Sequence, residues 1–156
     1  MKIELDEEHR MLRDSIRSFA ESEIRPRAAE FDRSRQFPYD QVRKCAELGL
    51  MGVMAPEEFG GAGMDSLSYV IIIEEISRVD ASLGVILSVN NSLYGHPISK
   101  FGTPAQKKKY LEPFARGEKI GCYCLTEADA GSDAGSLRTT ATRKGDRWVL
   151  NGSKVF

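Results

Sequence analysis

The sequence predicts an α+β chain, with an all-α unit over residues 1–118 and the start of an antiparallel β-unit over residues 119–156. Three observations carry this expectation. Up to Gly117 the apolar residues recur at three- and four-residue spacing, the pattern of one buried helix face. After Gly117 the period drops to two, the pattern of a strand. Two turn signals then follow, Lys144-Gly145-Asp146 and Asn151-Gly152, the second a strong two-residue hairpin signal.

Each element has a local reason. Asp6 caps a first helix in which Met11, Leu12, Ile16, Phe19 and Ala20 form the apolar stripe. Pro26 is expected to kink or end it. Pro38, pre-set for a first turn, opens a second helix carrying Val42, Cys45, Ala46 and Leu48, with Gly49 as its C-cap. Asp65 or Ser66 caps a central helix containing Tyr69 to Ile73, Ile76 and Val79, apolar nearly all round. Residues 82–96 continue as helix, and Thr103-Pro104 starts the next as N-cap and first turn. The Lys107-Lys108-Lys109 run reads as a solvated face. Beyond it, Ile120 to Thr126 and Leu137 to Arg143 read as strands, and Arg147 to Leu150 follows the Lys144-Gly145-Asp146 turn. The chain stops at Phe156, four residues into the strand expected after Asn151-Gly152, which would leave an unpaired edge. The expectation is a piece of a longer protein.

Composition excludes several classes. Hydrophobic residues at 41% and charged residues at 29% fit a folded soluble protein and not a disordered one. With 22 basic and 23 acidic residues the net charge is −1, so no long-range field draws the chain to nucleic acid or an anionic membrane. The longest wholly apolar run, Val70 to Ile73, is far short of the roughly 20 residues that span a bilayer. The acidic start, Met1 to Glu8, resembles neither a secretory leader nor a mitochondrial presequence, so a cytoplasmic protein is expected; a mature organellar protein would look the same. The three cysteines suggest no disulfide framework. Cys122-x-Cys124 lacks zinc spacing, so no metal is expected, and the pair is expected as two small buried hydrophobes on one strand face.

Three stretches could carry chemistry. The loop Ala55 to Met64 has three glycines in four residues, which suits either a phosphate cradle or a tight turn between close helices. Ser88, Asn90, Asn91, Ser92, Tyr94 and His96 interrupt an apolar helix; buried polar groups need partners, so they either satisfy neighbouring helices or border a pocket. The third stretch is Tyr123-Cys124-Leu125-Thr126-Glu127-Ala128-Asp129-Ala130-Gly131-Ser132. Its small residues let backbone amides approach a flat or anionic ligand, and Thr126 and Ser132 add hydroxyls. A plain Gly/Ser/Asp turn between strands would have the same composition, and the residues alone leave both readings open.

An ordered series then extends over essentially the whole chain: Phe37-Pro38, Glu58-Phe59-Gly60-Gly61-Ala62-Gly63, Ile73 to Ser82, Phe101-Gly102-Thr103-Pro104, Leu125-Thr126-Glu127, Ala130-Gly131-Ser132-Asp133 and Leu150-Asn151-Gly152-Ser153-Lys154. In this series the chain resembles the acyl-CoA dehydrogenase family, and most of all its short-chain, butyryl-CoA-like members.

The resemblance implies the N-terminal helical domain and the incomplete middle β-domain of that fold, with the C-terminal helical domain absent. It implies FAD, held by Tyr123 to Ser132 and Phe156, with Thr126 bonded to the flavin ring, Leu125 against it and Gly131 allowing close approach. Ser132 matches the family serine that contacts the CoA part of the substrate, and Asn91, Tyr94 and Gly95 are expected at the floor of the acyl pocket. Ala128-Asp129 departs from the family's usual Pro-Gly, and Asp129 is expected to face solvent. The implied reaction is FAD-dependent α,β-dehydrogenation of a short-chain acyl-CoA in fatty-acid β-oxidation. The implied electron acceptor is electron-transferring flavoprotein, and the implied assembly is a homotetramer. The base glutamate is expected beyond residue 156, so residues 1–156 alone are expected to be inactive. An acyl-CoA oxidase or a flavin monooxygenase on the same scaffold, and a non-catalytic helical interaction module, are the alternative readings.

Overall fold

Helix positions follow from the side chains that satisfy the first amides and from the prolines that cannot. The computed structural model describes residues 4–156. In chain order it contains α1 (Glu7–Phe19), α2 (Arg25–Ser34), α3 (Tyr39–Glu47), α4 (Ser66–Ser77), α5 (Ala81–Ser88), α6 (His96–Phe101), α7 (Pro104–Gln106) and α8 (Glu112–Ala115), then β1 (Thr140–Lys144) and β2 (Arg147–Asn151). The chain divides into two units, one ending at Cys122 and the other running Tyr123–Phe156.

Carboxylates open three of the helices. Asp6 accepts from the His9 amide at 2.9 Å, Asp65 from Ser68 at 2.8 Å and Asp80 from Leu83 at 3.1 Å, each relieving an N–H without an intrahelical partner. Thr103 forms a full capping box with Gln106.

Pro26 neither ends nor breaks its helix. A π-helical segment, Ala20–Ile24, joins α1 to α2, and Pro26 is the second residue of α2. The same arrangement recurs twice: Val89–Gly95 is π-helical ahead of Pro97 in α6, and Lys107–Leu111 ahead of Pro113 in α8. A proline removes one N–H and presses its ring on the preceding turn; widening that turn accommodates both, so the rod continues.

The core of the helical unit sits where these rods meet. Ile16, Ala20 and Ile24, four residues apart through the π segment, pack with Val42 and Cys45 of α3, Ile72 and Ile76 of α4, and Leu83 and Leu87 of α5. Leu50, Met51 and Val53 close the cluster from a short turn. Burial pushes the Cys45 thiol up to about 12, so it remains a neutral apolar group. Three positions expected on the apolar faces are exposed instead: Met11, Leu48 and Val70, with 67%, 51% and 54% of their surface open, Leu48 because the helix ends at Glu47. Conversely, Glu75 is buried. Arg17 grips it through Nε at 3.0 Å and Nη2 at 2.6 Å, Arg78 adds a bond at 3.2 Å, and its pKa is lowered chiefly by Arg17. Arg78 also reaches Glu21, which pairs with Arg25. The chain of charges ties α4 to the first rod.

In the second unit β1 and β2 form an antiparallel hairpin in register Thr140↔Asn151 to Lys144↔Arg147, turning at Gly145-Asp146. The strand expected over Ile120 to Thr126 is irregular, since among the described residues no ladder runs beside it. Cys122 and Cys124, expected to be buried there, are exposed. The strand expected from Leu137 starts at Thr140, because the amides of Arg138 and Thr139 are taken by the Glu127 carboxylate. Asn151-Gly152 makes no second hairpin. A side chain at Gly152 would overlap Thr139, and the Val155 amide donates to the Thr126 carbonyl at 2.8 Å instead of pairing with β2. Among the described residues no helix is long and apolar enough to cross a membrane, and no group of three or more His, Cys, Asp or Glu is placed to hold a metal.

Ile72→Ala should destabilise the helical unit by about 3 kcal/mol, read as a lower urea midpoint with an unchanged slope. His9 gives a pH dependence. Its Nδ1 lies 2.7 Å from Asp6 and its Nε2 3.4 Å from Asp65, and these contacts raise its pKa above the ordinary histidine value of about 6.5. This stabilisation is present below that ordinary value and is lost as pH rises through the raised one. The difference in melting temperature between wild type and His9→Gln should therefore shrink between mildly acidic and alkaline buffer.

Candidate functional site

The polar stretch of the helical unit resolves into a clamp. Asn91 Nδ2 donates to the carbonyls of Leu50 at 2.9 Å and Leu87 at 3.0 Å, and its Oδ1 accepts from the Val53 amide at 2.7 Å. Asn90 Nδ2 donates to Met51 at 2.8 Å, and its Oδ1 accepts from the Gly121 amide at 3.2 Å. Both side chains are buried. Gly121 lies flat on the rings of Tyr94 and Phe114, where a Cβ would come within 2.5 Å of each. The Tyr94 hydroxyl donates to the Tyr110 carbonyl at 3.2 Å. Asn91 and Gly95 share the wall of a small cavity of about 30 Å³, room for one water, with Met51, Leu111 and Phe114; Tyr94 does not line it. A larger cleft of about 950 Å³, not anticipated from sequence, is lined by Phe31, Phe37, Pro38, Ala81, Val85 and Ile86 among others.

The glycine loop is a tight turn. The amides of Gly60, Gly61 and Gly63 donate to the carbonyls of Glu57, Pro56 and Ala55, so these groups are not offered to a phosphate.

In the second unit, Glu127 and Ala130 exchange backbone bonds of 2.8 and 3.2 Å around Ala128-Asp129. This places Thr126 beside Gly131, whose Cα would carry a Cβ 3.6 Å from Thr126 Cγ2. Glu127, with its side chain 10% exposed, gathers three segments. It accepts from the amides of Arg138 at 2.7 Å and Thr139 at 3.0 Å, and from Lys154 Nζ at 2.8 Å. Lys154 first, then Thr139 and Arg138, hold its pKa down at about 2. Lys154 also donates to the Leu125 carbonyl at 2.9 Å. The carbonyls of Leu125 and Thr126 are therefore both taken, by Lys154 and by the Val155 amide. The amides of Thr126, Gly131 and Ser132, and the Thr126 and Ser132 hydroxyls, donate to nothing among the described residues. The result is a row of free donors on small residues, the arrangement that accepts a planar, acceptor-rich or anionic ligand.

The remaining sequence-derived positions distribute around this core. Ala130 is buried, whereas Tyr123, Cys124, Ala128, Ser132 and Phe156 are exposed. Asp129 is turned to solvent, 3.8 Å from Arg138. Asn90 takes the first of the two readings open to it, satisfying its neighbours, and Lys154 is the supporting residue that sequence reasoning left without a role. Lys154 sits inside the Leu-Asn-Gly-Ser-Lys series, but spacing does not show that it returns to Glu127.

A helical unit ending at Cys122, followed in sequence by a β-unit that carries a small-residue loop, defines a class. The family model described as "Acyl-CoA dehydrogenase, N-terminal domain" matches residues 6–118, and the chain belongs to the acyl-CoA dehydrogenase family. Mouse mitochondrial short-chain specific acyl-CoA dehydrogenase is 55% identical over 154 residues, 99% of this chain and 37% of the relative. The short-chain specific acyl-CoA dehydrogenase of Clostridium acetobutylicum is 48% identical, covering 100% of this chain and 41% of the relative. The solved structure of butyryl-CoA dehydrogenase from Megasphaera elsdenii matches with a TM-score of 0.90 at 36% identity, covering 100% of this chain and 42% of that one. The chain thus spans about two fifths of the length of these relatives.

Asn91→Ala should cost about 2–4 kcal/mol, since it strands the Val53 amide and the Leu50 carbonyl in the core. Chemical denaturation measures the loss, and exchange of the Val53 amide should quicken.

Proposed function

We propose that Tyr123–Ser132 seats FAD and that the protein catalyses α,β-dehydrogenation of a short-chain acyl-CoA to the trans-2-enoyl-CoA. The observation that carries this reading is the set of donors at Thr126, Gly131 and Ser132 without partners among the described residues, while the Leu125 and Thr126 carbonyls are taken by Lys154 and Val155. These donors suit the acceptor-rich rim of an isoalloxazine ring. Thr126 would donate to the ring from its amide or hydroxyl, and Ser132 to the CoA part of the substrate. Bound FAD supplies the two-electron acceptance that no side chain can provide. The short-chain specific relatives support the substrate class. Electron-transferring flavoprotein as acceptor and a homotetrameric assembly belong to the same proposal.

No glutamate here is assigned the role of base. Glu127 is consumed by Lys154 and two amides, and Glu75 by Arg17 and Arg78, so both are held as carboxylates in fixed pairs.

The test is the protein expressed from its whole reading frame. It should purify yellow and bleach anaerobically with butyryl-CoA. Thr126→Val should loosen FAD about tenfold, the scale of one lost hydrogen bond, while Thr126→Ser retains it. A colourless protein that stays so in excess FAD overturns the reading.

A further inference from the structure

We infer that Glu127 is a positioning residue: with Lys154 it locks the Thr126–Ser132 loop into its ligand-receiving shape before any ligand arrives. This inference rests on the flavin reading above and assigns Glu127 a role behind the site rather than a contact in it.

The Glu127 side chain is nine-tenths buried, and its carboxylate is committed to the Arg138 and Thr139 amides and to the Lys154 ammonium. Three of its roughly four acceptor sites are thus taken. Its backbone forms the base of the Glu127–Ala130 turn that sets Thr126 beside Gly131. Lys154 completes the lock by holding the Leu125 carbonyl, and the adjacent Val155 amide holds that of Thr126. One carboxylate therefore joins the segment before the loop, the segment leading into β1 and the segment after β2. The two carbonyls of this segment, which would repel a ligand's acceptors if they were free to turn to it, are held by Lys154 and by the Val155 amide. A loop ordered in advance loses less conformational freedom on binding, which appears as affinity.

A charged acceptor is required at this position. A glutamine would offer one oxygen to two amides and turn its own NH₂ toward the second amide or the ammonium. An aspartate is one methylene too short to reach all three donors.

The experiment uses the protein from its whole reading frame, titrated with FAD, in wild type, Glu127→Gln, Lys154→Met, the double variant and Lys154→Arg. Both single variants should weaken FAD about tenfold and change the shape of the visible band of the flavin that still binds. A merely structural loss would lower occupancy and leave that shape intact. The double variant should match a single variant, since both break one lock, and Lys154→Arg should restore binding. If wild type binds FAD but Glu127→Gln binds as tightly with an unchanged spectrum, or if the two effects multiply, the inference is overturned while the flavin reading stands. If wild type itself stays colourless, both fall. Should Glu127→Gln fail to fold, Lys154→Met, which leaves both amide bonds in place, decides by the same criteria.

Discussion

Two adjacent asparagines in the first half of a π-helical segment tie the helical unit to the turn beside it. An amide taken from water without partners costs about 1–3 kcal/mol for each orphaned group, so such residues persist in a core only when the surrounding chain is fixed around them. Asn90 and Asn91 meet that condition by bonding Leu50, Met51, Val53, Leu87 and Gly121. The turn that delivers Leu50, Met51 and Val53 to the apolar cluster is thereby held, and so is the point at which the chain leaves the helices. The widened turn matters here. It exists to admit Pro97, and it lies where the two amides are buried side by side.

The second unit follows the same rule with a charge in place of amides. A carboxylate that is mostly removed from water stays ionised only if donors replace the water, and Glu127 has two backbone amides and an ammonium. Satisfying it dictates which way the neighbouring backbone faces. The carbonyls of Leu125 and Thr126 are taken by Lys154 and Val155, while the amides of Thr126, Gly131 and Ser132 are left without partners among the described residues. The donor row that suits a flavin rim is in this sense a consequence of how one buried charge is neutralised.

Legibility in the sequence tracked the range of the interaction. Asp6, Asp65 and Thr103 were readable as caps because each bonds an amide three residues away. The Gly145-Asp146 turn was readable for the same reason. Pro26 was readable as a disturbance but not as a π turn, since whether a rod breaks or widens depends on what packs against both halves. Ile120 to Thr126 has a strand's alternation without a partner strand, and a strand is defined by its neighbour. Cys122 and Cys124 were misplaced by the same assumption. Asn151-Gly152 lost its hairpin to a remote competitor, the Thr126 carbonyl. At the site, the small-residue composition and the hydroxyls of Thr126 and Ser132 were visible, whereas the openness of the donor row was not.

By itself the sequence determined the two-part architecture, the helix starts and most of the core stripe, since all of these are written in spacings of a few residues. Tertiary structure alone decided that Asn91 clamps a turn, that Glu75 is buried under two arginines, and that Glu127 and Lys154, 27 residues apart, close on each other. Those outcomes depend on which distant donors reach a group as it leaves water, and no local pattern encodes that distance.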